Sequence, residues 1–382
     1  MGSVRSYDTA KGKRWSIRYR DPATRKQVEQ RGFASKRLAE DELASVTTDI
    51  RRGSYIDPQA GRVTIGEAGA KRLEQRRPPI IKRSTWDSEE STWRVHVEPR
   101  WGVVALASVR HSDVQAWISE LAARRSASTV LRAHGILLAI LEDGVRDRRI
   151  LSNPAADVDL PRKTPAPRHY LTHEQVEALA VATQSASRRE RLTDAATIVR
   201  TLAYTGLRWG ELVALRVRHV NFLRRRISVE ENAPTSRGKI HVGTPKTHER
   251  RSVAIPAFLA DELAALCEGK GRDALLFGDG TTHLRTPSSQ DGWFSVAVRA
   301  CRAADRDFPH VTPHDMRHTA ASLAVSAGAN VKAVQRRLGH KSAAMTLDTY
   351  ADLFDDDLDA VSDRLDAARS ASDVGKTWAG VR

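Results

Sequence analysis

The chain has 382 residues, of which 40% are apolar and 29% charged, so it can form packed cores and wholesale disorder is excluded. It carries 62 Lys and Arg residues against 47 Asp and Glu residues, and this net charge of +15 indicates a polyanionic partner. Two cysteines exclude a disulfide scaffold and a Cys-rich zinc module, and no apolar run approaches the roughly 20 residues that span a bilayer.

The first segment, residues 1–62, carries 14 basic and 8 acidic residues. Large apolar and polar side chains alternate over Arg14–Arg20, which predicts a strand. A second strand is expected over Lys26–Gly32, and Ser35 is placed to cap a helix over Lys36–Arg51. Two or three short strands and one helix make a small domain.

A sheet with basic side chains at alternate positions has the form of the β-ribbons that enter a DNA major groove. We therefore expect residues 1–62 to form a DNA-binding domain. An ordinary hairpin with a solvated charged face stays open as the alternative. The basic residues of this segment expected to contact DNA are Arg14, Arg18, Arg20, Lys26 and Arg31.

The second segment, residues 63–165, predicts an α-helical bundle, because apolar residues recur at spacings of three and four. Thr64 is placed to cap its first helix. Further helices are expected over Ser84–Val95, Val109–Arg124 and Ser128–Arg146. Proline and basic residues then predict an extended linker, in which Arg162 and Lys163 are expected to contact DNA.

The third segment, residues 166–382, is the largest and predicts a mixed α/β domain. Thr172 and Gln175 match a capping box at the start of a helix. One small antiparallel sheet is predicted from three alternating runs, Ile227–Glu230, Lys239–Val242 and Arg250–Pro256. The whole chain is therefore expected to be mainly α with small β-sheets, in the order sheet-plus-helix domain, helical bundle and mixed α/β domain.

Two basic residues of the third segment occupy positions suited to phosphate chemistry. The run Thr205–Leu212 (T-G-L-R-W-G-E-L) places Arg208 in the first turn of a helix, where backbone N–H groups also favour anions. Lys246 lies in a loop between strands. Each signal is weak alone, because a helix-start arginine or a loop lysine is usually solvated.

A later helix begins near Pro313 and carries His314 and Arg317 on one face, since the two are three residues apart. His310, His314 and His318 are each four residues apart, which raises the possibility of a metal site. Pro313 is expected to end any helix before His310, and no acidic ligand stands at a second ligand spacing. We therefore predict no metal.

These motifs together resemble the tyrosine recombinases, the integrases of lambda type. The resemblance lies in the order and spacing of several weak motifs over about 145 residues. The last of them are L-G-H at Leu338–His340 and Tyr350, which follows His340 by ten residues. The six positions that match the family's catalytic residues are Arg208, Lys246, His314, Arg317, His340 and Tyr350. None of them departs from the family pattern.

The resemblance implies covalent phosphoryl transfer without a metal or another cofactor. Tyr350 is implied as the nucleophile that forms a 3′-phosphotyrosine, and Lys246 as the acid that protonates the leaving 5′-oxygen. Arg208 and Arg317 are implied as clamps on the non-bridging phosphate oxygens. The resemblance implies that His314 and His340 donate hydrogen bonds or manage protons at the phosphate. It also implies that the Glu211 carboxylate orients Arg208.

The resemblance also implies partners. These are double-stranded DNA at attachment sites, a homotetramer that exchanges strands through a Holliday junction and, for some members, a host DNA-bending factor and an excision protein. Residues 353–365 are implied to dock on a neighbouring subunit, unless they form a solvated helix. With no apolar signal core, we expect the bacterial cytoplasm, in association with the nucleoid. The excess of 49 Arg over 13 Lys suggests an actinobacterial host or its phage.

Three functions fit these motifs. A phage or mobile-element integrase is expected first, because a small N-terminal arm-binding domain distinguishes such enzymes from simpler resolvases. A Xer-like resolvase or transposon recombinase with the same chemistry is the alternative. A non-catalytic DNA-binding regulator is the third, and it is disfavoured because no catalytic position is lost.

Overall fold

A computed structural model describes residues 2–10, 12–22, 25–53, 55–57, 60–164, 168–190, 192–243 and 250–353, with residues 362, 365–367 and 369–370. The chain forms two compact units, Met1–Pro165 and Ala166–Arg382. Helices predominate and the sheets are small, which confirms the predicted fold class. The boundaries of the three predicted domains stay predictions.

The first unit begins with an antiparallel sheet in chain order, formed by β1 (Ser3–Thr9), β2 (Gly12–Arg20) and β3 (Gln27–Phe33). Helix α1 (Lys36–Arg52) packs over a core that includes Ile17 and Tyr19. The hydroxyl of Ser35 accepts a hydrogen bond from the backbone N–H of Leu38 and caps this helix. Both expected strands and the capped helix are present, and β1 is the third strand that the sequence left open.

The helical part of the first unit comprises α2 (Ile65–Gln75), α3 (Arg83–Thr92), α4 (Glu98–Trp101), α5 (His111–Ala122) and α6 (Ala127–Arg146). One π-helical turn, Trp93–Val97, joins α3 to α4. Thr64 and Glu67 form a capping box at the start of α2. The apolar faces meet in one core, where the rings of Trp101 and Trp117 pack edge to face at 5.9 Å.

Eight α-helices of the second unit lie wholly within the described residues: α7 (His173–Ala186), α8 (Ala195–Thr205), α9 (Trp209–Leu212), α10 (Ala257–Cys267), α11 (Trp293–Ala304), α12 (Asp315–Ser326), α13 (Val331–Leu338) and α14 (Ala343–Tyr350). Helix α8 is central, because Ile198, Val199 and Leu202 are fully buried and α7, α10 and α12 all pack against it. Across the described part of both units, no helix is long and apolar enough to cross a bilayer.

Five short strands complete the second unit: β4 (Val220–Asn221), β5 (Arg226–Val229), β6 (Thr235–Ser236), β7 (Lys239–Ile240) and β8 (Arg251–Ala254). They form two sheets, β4–β5–β8 and a separate β6–β7 hairpin, so the single predicted sheet is wrong. The reason is the turn at Arg237 and Gly238, whose φ values of 48° and 71° suit a tight two-residue hairpin. Because of that turn, β7 pairs with β6 rather than with β5.

The packing of α2 against the π-helical turn generates a stability prediction. A Cβ atom added at Gly69 would lie 2.4 Å from Cη2 of the buried Trp93 ring. We expect Gly69→Ala to lower the free energy of unfolding by about 1–3 kcal/mol, because the indole must shift within a packed core.

The matched control is Gly135→Ala in α6, where an added Cβ meets no atom within 4 Å. That substitution should stabilise the protein by about 0.5–1 kcal/mol, through helix propensity. Urea unfolding followed by tryptophan fluorescence measures both effects. If the two variants shift in the same direction, the close packing at Gly69 is contradicted.

Candidate active site

Arg208 stands on the turn between α8 and α9, and two glycines shape that turn. Gly206 ends α8 with φ +70°, and a Cβ there would lie 2.6 Å from Cδ2 of Leu338. A Cβ at Gly210 would lie 2.4 Å from Oδ1 of Asn232. Larger residues at either position would displace these neighbours, so the two glycines of T-G-L-R-W-G-E-L allow the close packing that positions Arg208.

Glu211 holds Arg208 in place and joins it to a third residue, Arg251. The Glu211 carboxylate, 1% exposed, accepts hydrogen bonds from the Arg208 backbone N–H and Nη1, both at 2.9 Å. It also accepts two from Arg251, at 2.9 and 2.6 Å. Burial alone raises the pKa of Glu211, but the hydrogen bonds and charge of the Arg251 guanidinium, with the backbone N–H and charge of Arg208, lower it to about 2. The carboxylate is therefore ionised and orients both arginines.

Arg251 lies at the start of β8 and was not expected from the sequence. It is 40 residues from Glu211 in sequence, on a strand that pairs with β5, and the fold brings the two side chains together. A Cβ at Gly339 would lie 2.8 Å from Cδ of Arg251, so the L-G-H glycine packs on the same side chain. The Arg208 turn, β8 and the end of α13 thus meet around one arginine.

Arg317 joins the Arg208 turn to the L-G-H turn. Its guanidinium, 4% exposed, donates to the carbonyl oxygens of Gly206 at 2.6 Å and Leu338 at 2.5 Å. Burial and the nearby charge of Arg208 lower the pKa of Arg317 to about 9, so it remains charged at neutral pH. A guanidinium carries five N–H donors, and three remain after these two bonds for an anion.

His340 lies against the expected nucleophile. Its ring stacks on that of Tyr350, with centroids 6.2 Å apart and planes 7° from parallel. Its Nδ1 is 3.0 Å from the hydroxyl of Thr346, which fixes the ring orientation. Burial and the charges of Arg317 and Arg208 lower the pKa of His340 to about 4. The imidazole is therefore neutral at physiological pH.

Tyr350 ends α14 with its side chain 1% exposed. Its hydroxyl is 2.8 Å from Nδ1 of His318, and burial raises the pKa of Tyr350 to about 12. Arg168 donates to the carbonyl of Thr349, which anchors the end of α14. The ring of the exposed His314 meets that of His318 edge to face at 5.6 Å. His318 thus lies between a predicted site histidine and the tyrosine.

Lys246 falls within residues 244–249, outside the described part of the chain. Both flanks of this stretch are anchored close to Arg208. Gly243 exchanges backbone hydrogen bonds of 2.8 and 2.9 Å with Asn232, which packs on Gly210. On the other flank, Arg251 binds Glu211.

The N-terminal sheet separates its side chains onto two faces. Trp15, Ile17 and Tyr19 point toward α1 and its core, so the alternating residues of β2 point away from that helix. Arg31 pairs opposite Ser16 and lies on the same open face. The predicted DNA contacts on this open face are Arg14, Arg18, Arg20 and Arg31.

A carboxylate that the sequence did not single out lies among these arginines. Glu29 binds Arg18 at 3.3 Å and Arg31 at 3.0 Å, and these hydrogen bonds lower the pKa of Glu29 to about 2. Lys26 precedes β3, and its carbonyl accepts from the backbone N–H of Asp21. The other two predicted contacts, Arg162 and Lys163, are exposed in the segment without regular structure that follows the bundle.

The described residues contain no group of three or more His, Cys, Asp or Glu side chains able to hold a metal ion. Their chemistry is that of an anion site, because two guanidinium groups bind one ionised carboxylate and a third, that of Arg317, lies within electrostatic reach of it and of a tyrosine. The site residues that sequence reasoning missed are Arg251 and His318. His318 was noticed only for its four-residue spacing, and nothing local pointed to Arg251.

Residues 169–356 match the model of the Phage integrase family. The integrase of Mycobacterium phage L5 is 28% identical over 330 residues, which cover 82% of this chain and 84% of the phage protein. The transposase from transposon Tn916 of Enterococcus faecalis is 26% identical over 330 residues, which cover 81% of this chain and 79% of the transposase.

Two solved structures have the same fold. The Tn1549 transposon integrase in complex with transposon right end DNA aligns with a TM-score of 0.63 and 25% identity, covering 79% of this chain and 99% of that one. A lambda integrase tetramer bound to a Holliday junction aligns with a TM-score of 0.55 and 18% identity, covering 88% of this chain and 96% of that one.

The buried carboxylate generates a prediction about stability and pH. Glu211→Gln keeps the side-chain shape but leaves the guanidinium groups of Arg208 and Arg251 without their counter-charge. We expect the free energy of unfolding at pH 7 to fall by about 3–5 kcal/mol. Because the folded pKa of about 2 lies below the ordinary 4.5, the stabilisation is complete above about pH 4.5 and is lost as the pH falls toward 2.

The control is Glu120→Gln, which breaks the exposed pair with Arg124 and should change stability by less than about 1 kcal/mol. Urea unfolding at several pH values between 7 and 2 measures both variants. The gap between wild type and Glu211→Gln should narrow below pH 4.5. A gap that stays constant down to pH 2 would show that the carboxylate charge is not the cause.

Proposed function

The chain belongs to the phage integrase family of tyrosine recombinases, and on that premise we propose that it integrates and excises a mobile DNA element at attachment sites. Members of this family break and rejoin DNA, and this chain is a site-specific tyrosine recombinase. The observation that carries the residue assignment is the meeting of Arg208, Arg317, His340 and Tyr350 within electrostatic reach of one another.

Arg208 and Arg317 are proposed to bind the scissile phosphate. A phosphodiester under attack gathers negative charge on its non-bridging oxygens, and preorganised guanidinium groups stabilise that charge where water is excluded. Glu211 supports the assignment of Arg208, because it fixes that side chain by a buried ion pair. The bonds of Arg317 to two carbonyl oxygens support its assignment, since they fix the guanidinium before DNA arrives.

Tyr350 is proposed as the nucleophile. Its oxygen attacks phosphorus, the bond to the 5′-oxygen breaks, and a 3′-phosphotyrosine and a free 5′-hydroxyl result. Lys246 is the proposed acid that protonates the leaving oxygen, and the anchoring of its loop at both flanks beside Arg208 supports this. His314 and His340 are proposed to donate hydrogen bonds to the phosphate oxygens.

Strand exchange follows because the phosphotyrosine retains the energy of the phosphodiester. The 5′-hydroxyl of a partner strand attacks the phosphotyrosine and releases the tyrosine, and two such exchanges pass through a Holliday junction. A homotetramer on DNA is proposed as the working assembly, with support from the lambda integrase tetramer bound to a Holliday junction. A host DNA-bending factor, an excision protein and action at the nucleoid in the bacterial cytoplasm belong to the same proposal.

The open face of the N-terminal sheet is proposed to bind arm-type DNA, in a domain over residues 1–62. Four arginines on one side of three strands supply a major-groove surface of the kind that a β-ribbon uses. The helical segment 63–165 is the proposed core-binding domain and residues 166–382 the catalytic domain. The exposed Arg162 and Lys163, near the end of the first unit, are proposed to contact the DNA backbone.

A transposon recombinase with the same chemistry is the second candidate. The identity of 26% to the Tn916 transposase, close to the 28% to the phage L5 integrase, favours it as the alternative. The two functions differ in the DNA element that is moved rather than in any step at the phosphate. A flanking repeat beside phage or transposon genes would distinguish them.

The nucleophile assignment predicts a covalent adduct. A suicide substrate with a nick beside the cleavage site should trap wild-type protein on DNA, because the short cleaved strand diffuses away. Tyr350→Phe should form no adduct, and Tyr170→Phe, a matched change of a neighbouring tyrosine, should form adduct readily. Denaturing gels quantify both. Formation of adduct by Tyr350→Phe would contradict the assignment of Tyr350 as the nucleophile.

The sheet assignment predicts a salt effect. Arg14→Ala with Arg20→Ala should weaken binding to arm-site DNA and reduce the slope of log affinity against log salt by about one per lost phosphate contact. Arg37→Ala, an exposed position on α1, is the control and should bind as wild type. Titrations at several salt concentrations measure the slopes. An unchanged slope in the double variant would exclude phosphate contacts by this face.

A further inference from the structure

His318 is hydrogen-bonded to the hydroxyl of the proposed nucleophile, a contact that none of the motif residues within the described part of the chain makes. Its Nδ1 lies 2.8 Å from the hydroxyl oxygen of Tyr350, and the two rings are 5.6 Å apart at 60°. His340, in contrast, stacks flat on the tyrosine ring and directs its own Nδ1 to Thr346. Of these two histidines, only His318 is hydrogen-bonded to the reacting atom.

We infer that His318 is the base that accepts the hydroxyl proton of Tyr350 when the tyrosine attacks DNA. The inference deepens the proposed function and rests on it, because it assigns a residue to the same cleavage step. The position of His318 carries it: the histidine follows Arg317 directly on α12, so one helix presents both the phosphate-binding guanidinium and the base.

The protonation states of the pair support this direction of transfer. Burial raises the pKa of Tyr350, so the phenol keeps its proton and is the natural donor of the hydrogen bond. Burial, followed by the neighbouring charge of His314, lowers the pKa of His318, so its imidazole is neutral. A neutral imidazole has one bare nitrogen, and Nδ1 facing a phenol is placed to be that acceptor.

The charged surroundings explain why the proton stays on Tyr350 until DNA binds. The titratable and charged groups that face His318 come from α12, from the segment before α7 and from the L-G-H turn, and they are His314, Asp315, Arg317, Arg168 and His340. Arg317 and Arg168 are positive and only Asp315 is negative, so the net positive charge around His318 disfavours an imidazolium before DNA binds. A phosphodiester bound at Arg317 adds negative charge and makes protonation of His318 easier at the moment of attack.

The step balances in protons and electrons. The Tyr350 O–H bond breaks, its proton passes to Nδ1 of His318, and the freed electron pair forms the bond to phosphorus. The bond from phosphorus to the 5′-oxygen breaks, and that oxygen takes a proton from a separate acid, the proposed Lys246. In the reverse step, His318 returns its proton to the departing tyrosine, as microscopic reversibility requires.

The test measures single-turnover adduct formation on the nicked suicide substrate, with full-length protein, from pH 6 to pH 9. His318→Asn keeps a hydrogen-bond acceptor near the position of Nδ1 but is not basic. His310→Asn, which replaces an exposed histidine ahead of the same helix, is the matched control. DNA affinity and urea unfolding are recorded for both variants.

We expect His318→Asn to cleave about 10²–10⁴-fold more slowly than wild type at pH 7, which is the usual effect of losing a general base. Its rate should rise about tenfold per pH unit, because the reactive phenolate of a group with a pKa of about 12 becomes more abundant. Wild type and His310→Asn should be flat from pH 7 to pH 9. A wild-type rate in His318→Asn, or a slow rate with a flat profile, overturns the inference.

A substrate with sulfur at the 5′-bridging position separates this role from that of the acid. A thiolate leaves without a proton, so this substrate should restore the cleavage rate of Lys246→Ala. Cleavage by His318→Asn should remain slow. Restoration of His318→Asn overturns the inference, because the histidine would then serve the leaving group.

Two further outcomes keep the inference separate from the proposed function. A wild-type rate that rises tenfold per pH unit from pH 7 to pH 9 overturns the inference without any variant, even if His318→Asn does not fold. Adduct formation by Tyr350→Phe removes the proposed function itself. Absence of adduct in Tyr350→Phe, together with normal cleavage by His318→Asn, overturns only the assignment of His318 as the base.

Discussion

The ion pairs of Glu211 are the constraint on which the geometry of the site depends. This buried carboxylate fixes Arg208 on the α8–α9 turn and Arg251 at the start of β8. Arg251 in turn packs on Gly339, and Arg317 completes the arrangement by binding the carbonyl oxygens of Gly206 and Leu338. Ion pairs and hydrogen bonds therefore hold segments that are distant in sequence together at one point. A shift of one of these segments would displace the others.

Local signals predicted most of the helices. Ser35, Thr64 and Thr172 each begin a helix and each accepts the hydrogen bond expected of a cap, because capping chemistry is decided within four residues. Apolar periodicity located the long helices of the bundle for the same reason. The motifs also identified side chains that converge, since Arg208, Arg317, His340 and Tyr350 do meet.

Contacts between distant segments were the part that the sequence could not reveal. Arg251 lies on a strand paired with β5 and its side chain contacts Glu211, 40 residues earlier, and no local pattern distinguishes it from the preceding Arg250. The spacing of His318 pointed only to a metal ligand, whereas the structure shows its hydrogen bond to Tyr350, 32 residues later. The β6–β7 hairpin was misassigned because alternation predicts strands without their partners.

The buried guanidinium of Arg317 also limits the stability of the second unit. A cation whose proton affinity is reduced by burial and by neighbouring arginines is a source of electrostatic strain in the empty protein. Under the proposed function, the same positive charge attracts the scissile phosphodiester, so the site gives up stability for binding. On that proposal, folding and DNA binding are linked thermodynamically, because DNA that balances the charge of Arg317 and binds only the folded unit stabilises the unit.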